Sequence, residues 1–521
     1  MRGGHAPSSR IQYRPSPSVA GGGSVISFPL ASDPYTARMS LQAIFPRPDS
    51  DGDVNSWERH KLQPSGIPLR FPISVQGGVR PFQYSVSGPS GMTIGTDLYT
   101  DWATNRFQDY GVLKWANPTV GTHSVTVTVT DQTGSTVSIA WDLVVVDKDD
   151  TSKFMWFDAT NGNDSTGAGT WTNPYKTDLS KAFGSSSAST TIQGHCILKA
   201  GTYDIPVHAS SQCVVDNTKR PVVCYAMPTS TTAAASVTIN GTAELNGQSG
   251  SAYSALFFGD LTMSGGVSSV ANWRFFNLGS GGGKRITFWK LSFPNPEGGT
   301  SKDDGCTSIY FNSGATSSSS SYDQYIALVS CTETGRPSGS ASYSLLAAYG
   351  LKDGVVEDCY ITGGSAVECV YLKDSCQNFT VAMNYVDTTS GRGLSSGDQN
   401  QNGGTSANME WVFNRSRANS GGSAALTWNH AVNATNVGSH WSARNTFIGD
   451  VDIREDSTSG VGPYVLENDV VQTSWTPPVT TGTRITNTGT ELQGSGTYVD
   501  SSFNLTGSSL SYKGSRGYEI Q

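Results

Sequence analysis

Charge is scarce in this sequence. Only 15% of its 521 residues are Asp, Glu, Lys or Arg, and the net charge is −8. Such a chain lacks the basic face that a nucleic-acid partner requires. Long apolar runs are also missing: "VSIAWDLVVVD" is too short to span a bilayer, so no membrane insertion is expected. The first residues, "MRGGHAPSSRIQYRPSPSVAGGGSV", contain no apolar core of a signal peptide, so a chain made without a secretory leader is expected. The eight cysteines form no C-x-x-C pair and no Cys/His zinc spacing. Most sit in apolar stretches, where a free thiol packs like a small hydrophobe, and folding in a reducing cytosol is expected. Gly-x-Ser-x-Gly, HExxH and P-loop patterns are absent, and neither a metal nor a cofactor is expected.

What the chain has in quantity is glycine, at 59 residues, with dense Ser, Thr and Asn. Low charge combined with 10% aromatic residues argues against disorder and for an all-β protein with many turns. The 12 Trp and 21 Tyr can serve as sugar-stacking platforms or as ordinary packing. Three segments follow. Residues 1–45, rich in Gly, Ser, Pro and Arg, read either as a tail or as an extended arm that orders on a partner. In residues 46–150, "HSVTVTVTDQTGSTVSIAWDLVVVD" predicts a hairpin: two alternating strands around a polar turn. Upstream, "IPLRFPISVQGGVRPFQYSVSG" predicts two more short strands. With "GVLKW" between them, this region resembles the bacterial Ig-like and cadherin-like repeats of surface proteins. That resemblance implies an Ig-like β-sandwich, a fold used mostly as a spacer.

Residues 151–521 have a different texture. "FMWFDATNGNDSTGAGTWTNPYKT" followed by "GHCILKAGTYDI" resembles the entry to a right-handed, single-stranded parallel β-helix of the pectate-lyase-like kind. Within it, "DATNGND" has the wrong spacing for an EF-hand and reads as a turn-rich cap, with calcium a minor alternative. A coil repeat supports the β-helix. Aligning short apolar pairs before a two-residue bend sets Ile286, Phe288, Leu291 and Phe293 over Ile326, Leu328, Cys331 and Glu333, then over Gly354, Val356, Cys359 and Ile361. Four further coils follow, and the third position reads Leu291, Cys331, Cys359, Asn384, Asn414, Asn445, Asp469. Equivalent positions should stack about 4.8 Å apart, close enough for amide to bond amide. "GLKDG" and "YLKDS", 21 residues apart, suggest that Lys352 stacks on Lys373 and Asp353 on Asp374. The last residues resemble a closing coil, without the trimerising stalk of many tailspikes.

Chemistry has few candidates. Glycoside hydrolysis needs two carboxylates, about 5 Å apart for retention or roughly 6.5–9.5 Å for inversion. Asp353 and Asp374 on adjacent coils would meet the first geometry, and Asp398 could join them; the alternative is a ladder of exposed Lys-Asp pairs on a solvated face. A lyase would need a base and a group that neutralises a uronate, for which Lys352, Lys373 and Arg392 are available. Trp428, His430 and Trp441 could form a sugar-binding face, whereas His440 falls on an inward position and reads as core. A surface-type architecture without an export signal fits a bacteriophage virion protein, folded in the host cytoplasm and released by lysis. The expectation is a fibre, spike or decoration protein, resembling phage tailspikes. Its arm would dock on other virion proteins and its β-helix would contact host polysaccharide; a homotrimer is one arrangement allowed. An active depolymerase, hydrolase or lyase, and a purely structural decoration protein are the alternatives.

Overall fold

The computed structural model describes residues 23–26, 38–47, 57–95, 110–183, 194–205, 212–215, 221–240, 244–247, 255–265, 274–279, 284–296, 307–312, 322–335, 345–362, 365–373, 375–388, 390–398, 407–418, 424–430, 440–448, 450–455, 464–467, 469–472, 475–476, 485–488 and 491–493. Strands dominate them. From Phe154 onward the chain visits three parallel sheets in turn and then repeats, giving a first sheet of 12 strands, a second of 11 and a third of 10. The first runs from Phe154–Phe157 to Ile485–Thr488, the second from Gly201–Asp204 to Glu491–Gln493, and the third from Gln212–Val215 to Trp475–Thr476. Such cyclic visiting of parallel sheets is consistent with a β-helix.

The register is the one the coil repeat assigns. Ile286 pairs with Ile326, Ile326 with Gly354, and Gly354 with Phe379 in the first sheet. Phe293, Glu333, Ile361 and Val386 follow one another in the second. These inward rows fill one continuous apolar core from Phe157 to Phe447.

Between the first and second sheets the chain bends through one left-handed residue per coil. Lys290, Ser330, Asp358, Met383, Phe413 and Arg444 all have φ between 53° and 59°. Each donates its backbone N–H to the equivalent residue's neighbour on the next coil, as Met383 N does to Val412 O at 3.0 Å. The following residue points inward and carries the predicted column. Asn384 Nδ2 donates to Val356 O and to Asn414 Oδ1, both at 2.9 Å. Asn414 Nδ2 repeats this with Val381 O and Asn445 Oδ1. Backbone N–H groups of Cys359, Asn384 and Asn414 also bond the Oδ1 one coil on, so the stack satisfies buried donors that a bend would otherwise strand. The ladder ends on Asp469, whose Oδ1 accepts from Asn445 N at 2.7 Å and Asn445 Nδ2 at 3.0 Å.

The N-terminal region forms two smaller sheets. One has the strand order Gly23–Ile26, Gln83–Ser87, Gly121–Thr130, Thr136–Val146, Leu62–Pro64. The other has Gln42–Phe45, Leu69–Gln76, Gly111–Trp115, Met92–Gly95. The expected hairpin is present, Gly121–Thr130 pairing antiparallel with Thr136–Val146. The reading of residues 1–45 as a separate arm needs correction. Gly23–Ile26 and Gln42–Phe45 are strands of these sheets, and Ala43, Ile44 and Phe45 are buried, so their apolar side chains belong to the core.

This unit lies along the flank of the coil stack and does not extend from its end. The outward rows of the first sheet are mainly apolar where it sits: Trp156, Ile197, Tyr225, Trp289 and Val329 in one, with Gly259 among them, and Phe154, Val223, Phe257, Ala327 and Val355 in the other, with His195 and Thr287 between them. They share a single core with Phe45, Phe71, Ile73 and Trp141 of the N-terminal sheets. Farther along, Val79 packs on Ala382, Val412 and Ala443. Polar groups pin the same interface. Arg285 Nη1 lies 2.6 Å from Glu58 Oε1, Arg80 Nη2 lies 3.0 Å from Glu357 Oε2, and Tyr110 shares a 2.6 Å hydrogen bond with Ser330. A spacer in line with the stack would leave these rows in water, at a cost of about 25 cal/mol per Å² of apolar surface.

Candidate functional site

Because the N-terminal unit covers the first sheet's outward face, that face cannot meet a large ligand until about Trp441. Attention therefore moves to the other two sheets. On the second, Tyr360 and Tyr385 stack with centroids 5.0 Å apart, and Arg417 Nε donates to Asp387 Oδ1 at 2.8 Å with a second bond to Asp387 Oδ2. This bidentate pair holds the guanidinium charged. Burial, with Asp387 nearby, pushes the Tyr385 phenol up to about 12. Here Arg417 and Asp387 match each other's charge.

The third sheet carries aromatic and cationic side chains together. Alternation sends Ile309, Phe311, Val370, Leu372, Leu394, Leu426 and Trp428 into the core, leaving the intervening residues outside. One outward row reads Asn277, Tyr310, Ala347, Tyr371, Ser395. The next reads Tyr349, Lys373, Gly397. Cations lean on the aromatic rings. The Arg274 guanidinium sits 3.6 Å from the Tyr310 centroid, and its Nη1 donates to Asn277 Oδ1 at 3.2 Å. Lys373 Nζ lies 4.8 Å from the Tyr349 centroid and 5.5 Å from that of Tyr371, and donates to the Tyr349 hydroxyl at 3.0 Å. Tyr310 and Tyr349 meet at 5.8 Å. Arg274 and Tyr349 are half-buried, whereas Lys373, Tyr310 and Tyr371 are buried, exposing 9%, 5% and 2%.

Most of the residues singled out in the sequence fall on this sheet. Lys373 is central to the outward face. Arg392 pairs with Glu368 at 2.6 Å on the same sheet, which ties up its charge locally. Asp398 and His430 occupy one register row, His430 pairing with Asp398 on one side and Glu455 on the other. Sequence reasoning missed Glu455; the third-sheet register finds it, and that register was not among the columns read from the sequence.

Other candidates move. Trp428 is fully buried, its ring 5.6 Å from the equally buried His440, so it packs the core and cannot stack on a sugar. Trp441 faces outward from the first sheet and is half-buried, one strand beyond the covered Glu410. The proposed stacking of Lys352 on Lys373 is overturned. Lys352 pairs with Gln377 in the first sheet, while Lys373 pairs with Tyr349 and Gly397 in the third. Asp353, at φ 59°, instead begins a polar ladder: Asn378 Nδ2 donates to it at 2.8 Å, and Asn408 Nδ2 to Asn378 at 2.9 Å. Asp374 lies outside the described residues.

The "DATNGND" cap has its carboxylates engaged by nitrogen. Asp158 accepts from Thr160 N and Asn161 N, and Asp164 from Lys176 N and Thr177 N, all within 3.2 Å. Among the described residues no three His, Cys, Asp or Glu side chains converge as a metal site.

Fold and site together define an all-β protein of long parallel sheets with a cation–tyrosine face on one of them. No protein family, curated protein or solved structure matches this chain.

Proposed function

We propose that this chain is a bacteriophage virion fibre or spike. In this reading an Ig-like sandwich braces a right-handed parallel β-helix whose third sheet contacts host surface polysaccharide. The observation that carries the reading is the division of faces. The sandwich occupies the first sheet, and the third carries the partly exposed Arg274 and Tyr349 above the buried Tyr310, Tyr371 and Lys373, a combination of aromatic and cationic groups suited to a sugar polymer. Replacing Tyr349 with alanine should weaken binding to host polysaccharide about tenfold, measured by glycan capture, with unfolding temperature little changed. Undiminished binding would sink the third-sheet assignment.

The segment before Gly23 leads from an edge strand of the five-stranded sheet, and its Gly, Ser, Pro and Arg composition suits docking on other virion proteins. Deleting residues 1–22 should abolish attachment to the particle while the protein still folds, as judged by sedimentation of particles with bound protein. Deletion to residue 45 would be a poor test, because it removes buried strand residues.

A second reading, a polysaccharide hydrolase, is favoured by the register of Asp398, His430 and Glu455. The backbone positions of the two acids are two strand spacings apart, about 9.6 Å. Reducing-sugar release from host capsule, lost in Asp398→Asn, would select it; capture without release would select the fibre.

A further inference from the structure

We infer that the seam between the N-terminal unit and the first sheet is an acid-sensitive latch, which opens when His60 and His195 take up protons and leaves both units folded. What the third sheet binds has no bearing on it. At the centre of the seam lie residues 57–61, "WERHK", with four ionisable side chains that stay buried: Glu58, Arg59, His60 and Lys61 expose 3%, 1%, 0% and 6%. A histidine in such a place is neutral unless an acid matches its charge. The His60 ring meets Phe45 and Trp141 edge-on, at 5.7 and 5.6 Å, and among the described residues neither of its nitrogens has a hydrogen-bond partner. Arg59 and Lys61 act on it from its own segment and Arg285 from the first sheet. Glu58 lies 3.7 Å from its Nδ1, and already holds Arg285 at 2.6 Å and Lys61 at 3.9 Å.

His195 faces the same segment from the first sheet and is fully buried. Its Nε2 donates to Trp57 O at 3.0 Å, so a further proton would sit on Nδ1, which is 3.5 Å from the Tyr225 hydroxyl. Phe154 packs at 5.9 Å, and the Arg59 guanidinium lies 4.3 Å from the Tyr225 centroid. Arg59 donates to two neutral acceptors, Gln63 Oε1 and Arg70 O, and Arg70 pairs with Asp260 at 3.4 Å. A charge on either imidazole would therefore be buried beside cations. Burial first, then Lys61, Arg285 and Arg59, hold His60 well below its ordinary value. Burial and Arg59 take His195 down to about 3, against hydrogen bonds to the Trp57 and Glu58 backbone. An undocked histidine takes its proton near pH 6.5 and a docked one does not, so the undocked state gains as pH falls. Each pH unit below about 6.5 disfavours docking about tenfold per histidine, until the docked value is reached. Apolar contact across the seam opposes this and sets the midpoint lower. Undocking breaks no strand, because the unit joins the stack through residues 147–153, which are largely exposed and held by local turns.

The test titrates the full-length protein from about pH 7.5 to about pH 4, following an apolar-surface dye and far-ultraviolet circular dichroism. Dye binding should rise about tenfold or more, with a midpoint between about pH 5.5 and about pH 4, as Trp156, Tyr225, Phe257 and Trp289 are uncovered while the strand signal holds. His60→Phe keeps a ring against Phe45 and Trp141, and His195→Gln keeps a donor for Trp57 O. Together they should lower the midpoint by about one pH unit or more. No dye binding above about pH 4, a midpoint unmoved in the double variant, or strand signal lost together with dye binding each overturns the latch. An unmoved midpoint would assign the opening to carboxylates such as Glu58. Should the double variant fail to fold, hydrogen exchange of the parent decides, after correction for intrinsic rates. Amides of residues 57–61 and 194–198 should lose protection about a hundredfold by about pH 4.5, while those of residues 379–386 keep theirs. Protection kept in both regions, or lost equally in both, overturns the latch.

Discussion

Replacing Arg80 with alanine is expected to destabilise the protein by about 3–5 kcal/mol, the usual cost of removing one partner of a buried ion pair. Arg80 is 1% exposed and its Nη2 lies 3.0 Å from Glu357 Oε2, on the covered face of the first sheet. Ser74 donates to the other oxygen of Glu357 at 2.6 Å, and the Arg80 guanidinium lies 4.8 Å from the Phe82 ring. Burial pushes the Glu357 carboxyl up, and Arg80 pulls it back down. Without Arg80, Glu357 must either stay charged in an apolar seam or take a proton from water. The same cation also pulls down the carboxyl of Glu410, two strands on, which burial nonetheless raises to about 7. Chemical denaturation at pH 7 measures the loss. Converting Arg80 and Glu357 together to Met should recover much of it, because an apolar pair leaves no stranded charge. A loss in Arg80→Ala below about 1 kcal/mol would show that apolar packing alone seats the N-terminal unit.

That interface was the least legible part of the sequence, although a trace of it is present. The strands "HCIL", "VVCYA" and "LFFG" have no polar alternation, and all their residues are buried. Strands buried on both faces read this way. The sequence reading accounted for the inward half and had no partner for the outward half, since Trp57, Glu58 and Phe71 lie more than a hundred residues away. Glu357 is another case: its partners, Ser74 and Arg80, lie more than 270 residues away in the chain.

The coil repeat was legible because a stack constrains each inward position separately. Apolar, small-thiol and amide side chains each leave a recurring mark at fixed offsets from the bend. Left-handed bend residues leave no such mark: Met383, Phe413 and Arg444 adopt φ near 57° without being Gly or Asn, held by the backbone bond to the next coil. The "LKD" match misled for a related reason. Its 21-residue offset is shorter than the 25 residues separating Cys359 from Asn384, so the second copy falls in a different sheet. Likeness of a short string is no substitute for phase within the coil. The candidate site shows the same limit, for Lys373, Asp398 and His430 were found by residue type while Glu455 needed the register.

Asparagine at position 469 is expected to stabilise the last coils in mildly alkaline solution. Asp469 is fully buried, and burial lifts its carboxyl to about 7, against the pull of hydrogen bonds from Asn445 and Ser442 and with Glu467 adding repulsion. A carboxyl whose folded pKa is raised favours folding while it stays protonated. That contribution is complete below the unfolded value near 4 and is lost as pH rises through about 7. At pH 8 the penalty is on the order of 4 kcal/mol, taking about 1.4 kcal/mol per unit. Asn keeps the Oδ1 acceptor that Asn445 uses and adds an Nδ2 donor. By the pattern of Asn384, Asn414 and Asn445, that donor would reach the Ser442 carbonyl. Thermal unfolding from pH 5 to pH 8 should therefore show a declining midpoint in the parent and a shallower decline in Asp469→Asn. A residual slope should persist, because Glu410 loses its proton over the same range with the same sign. Adding Glu410→Gln should flatten most of what is left. An Asp469→Asn protein with the parent's full pH slope would show that the ladder's terminal carboxyl remains ionised in the fold.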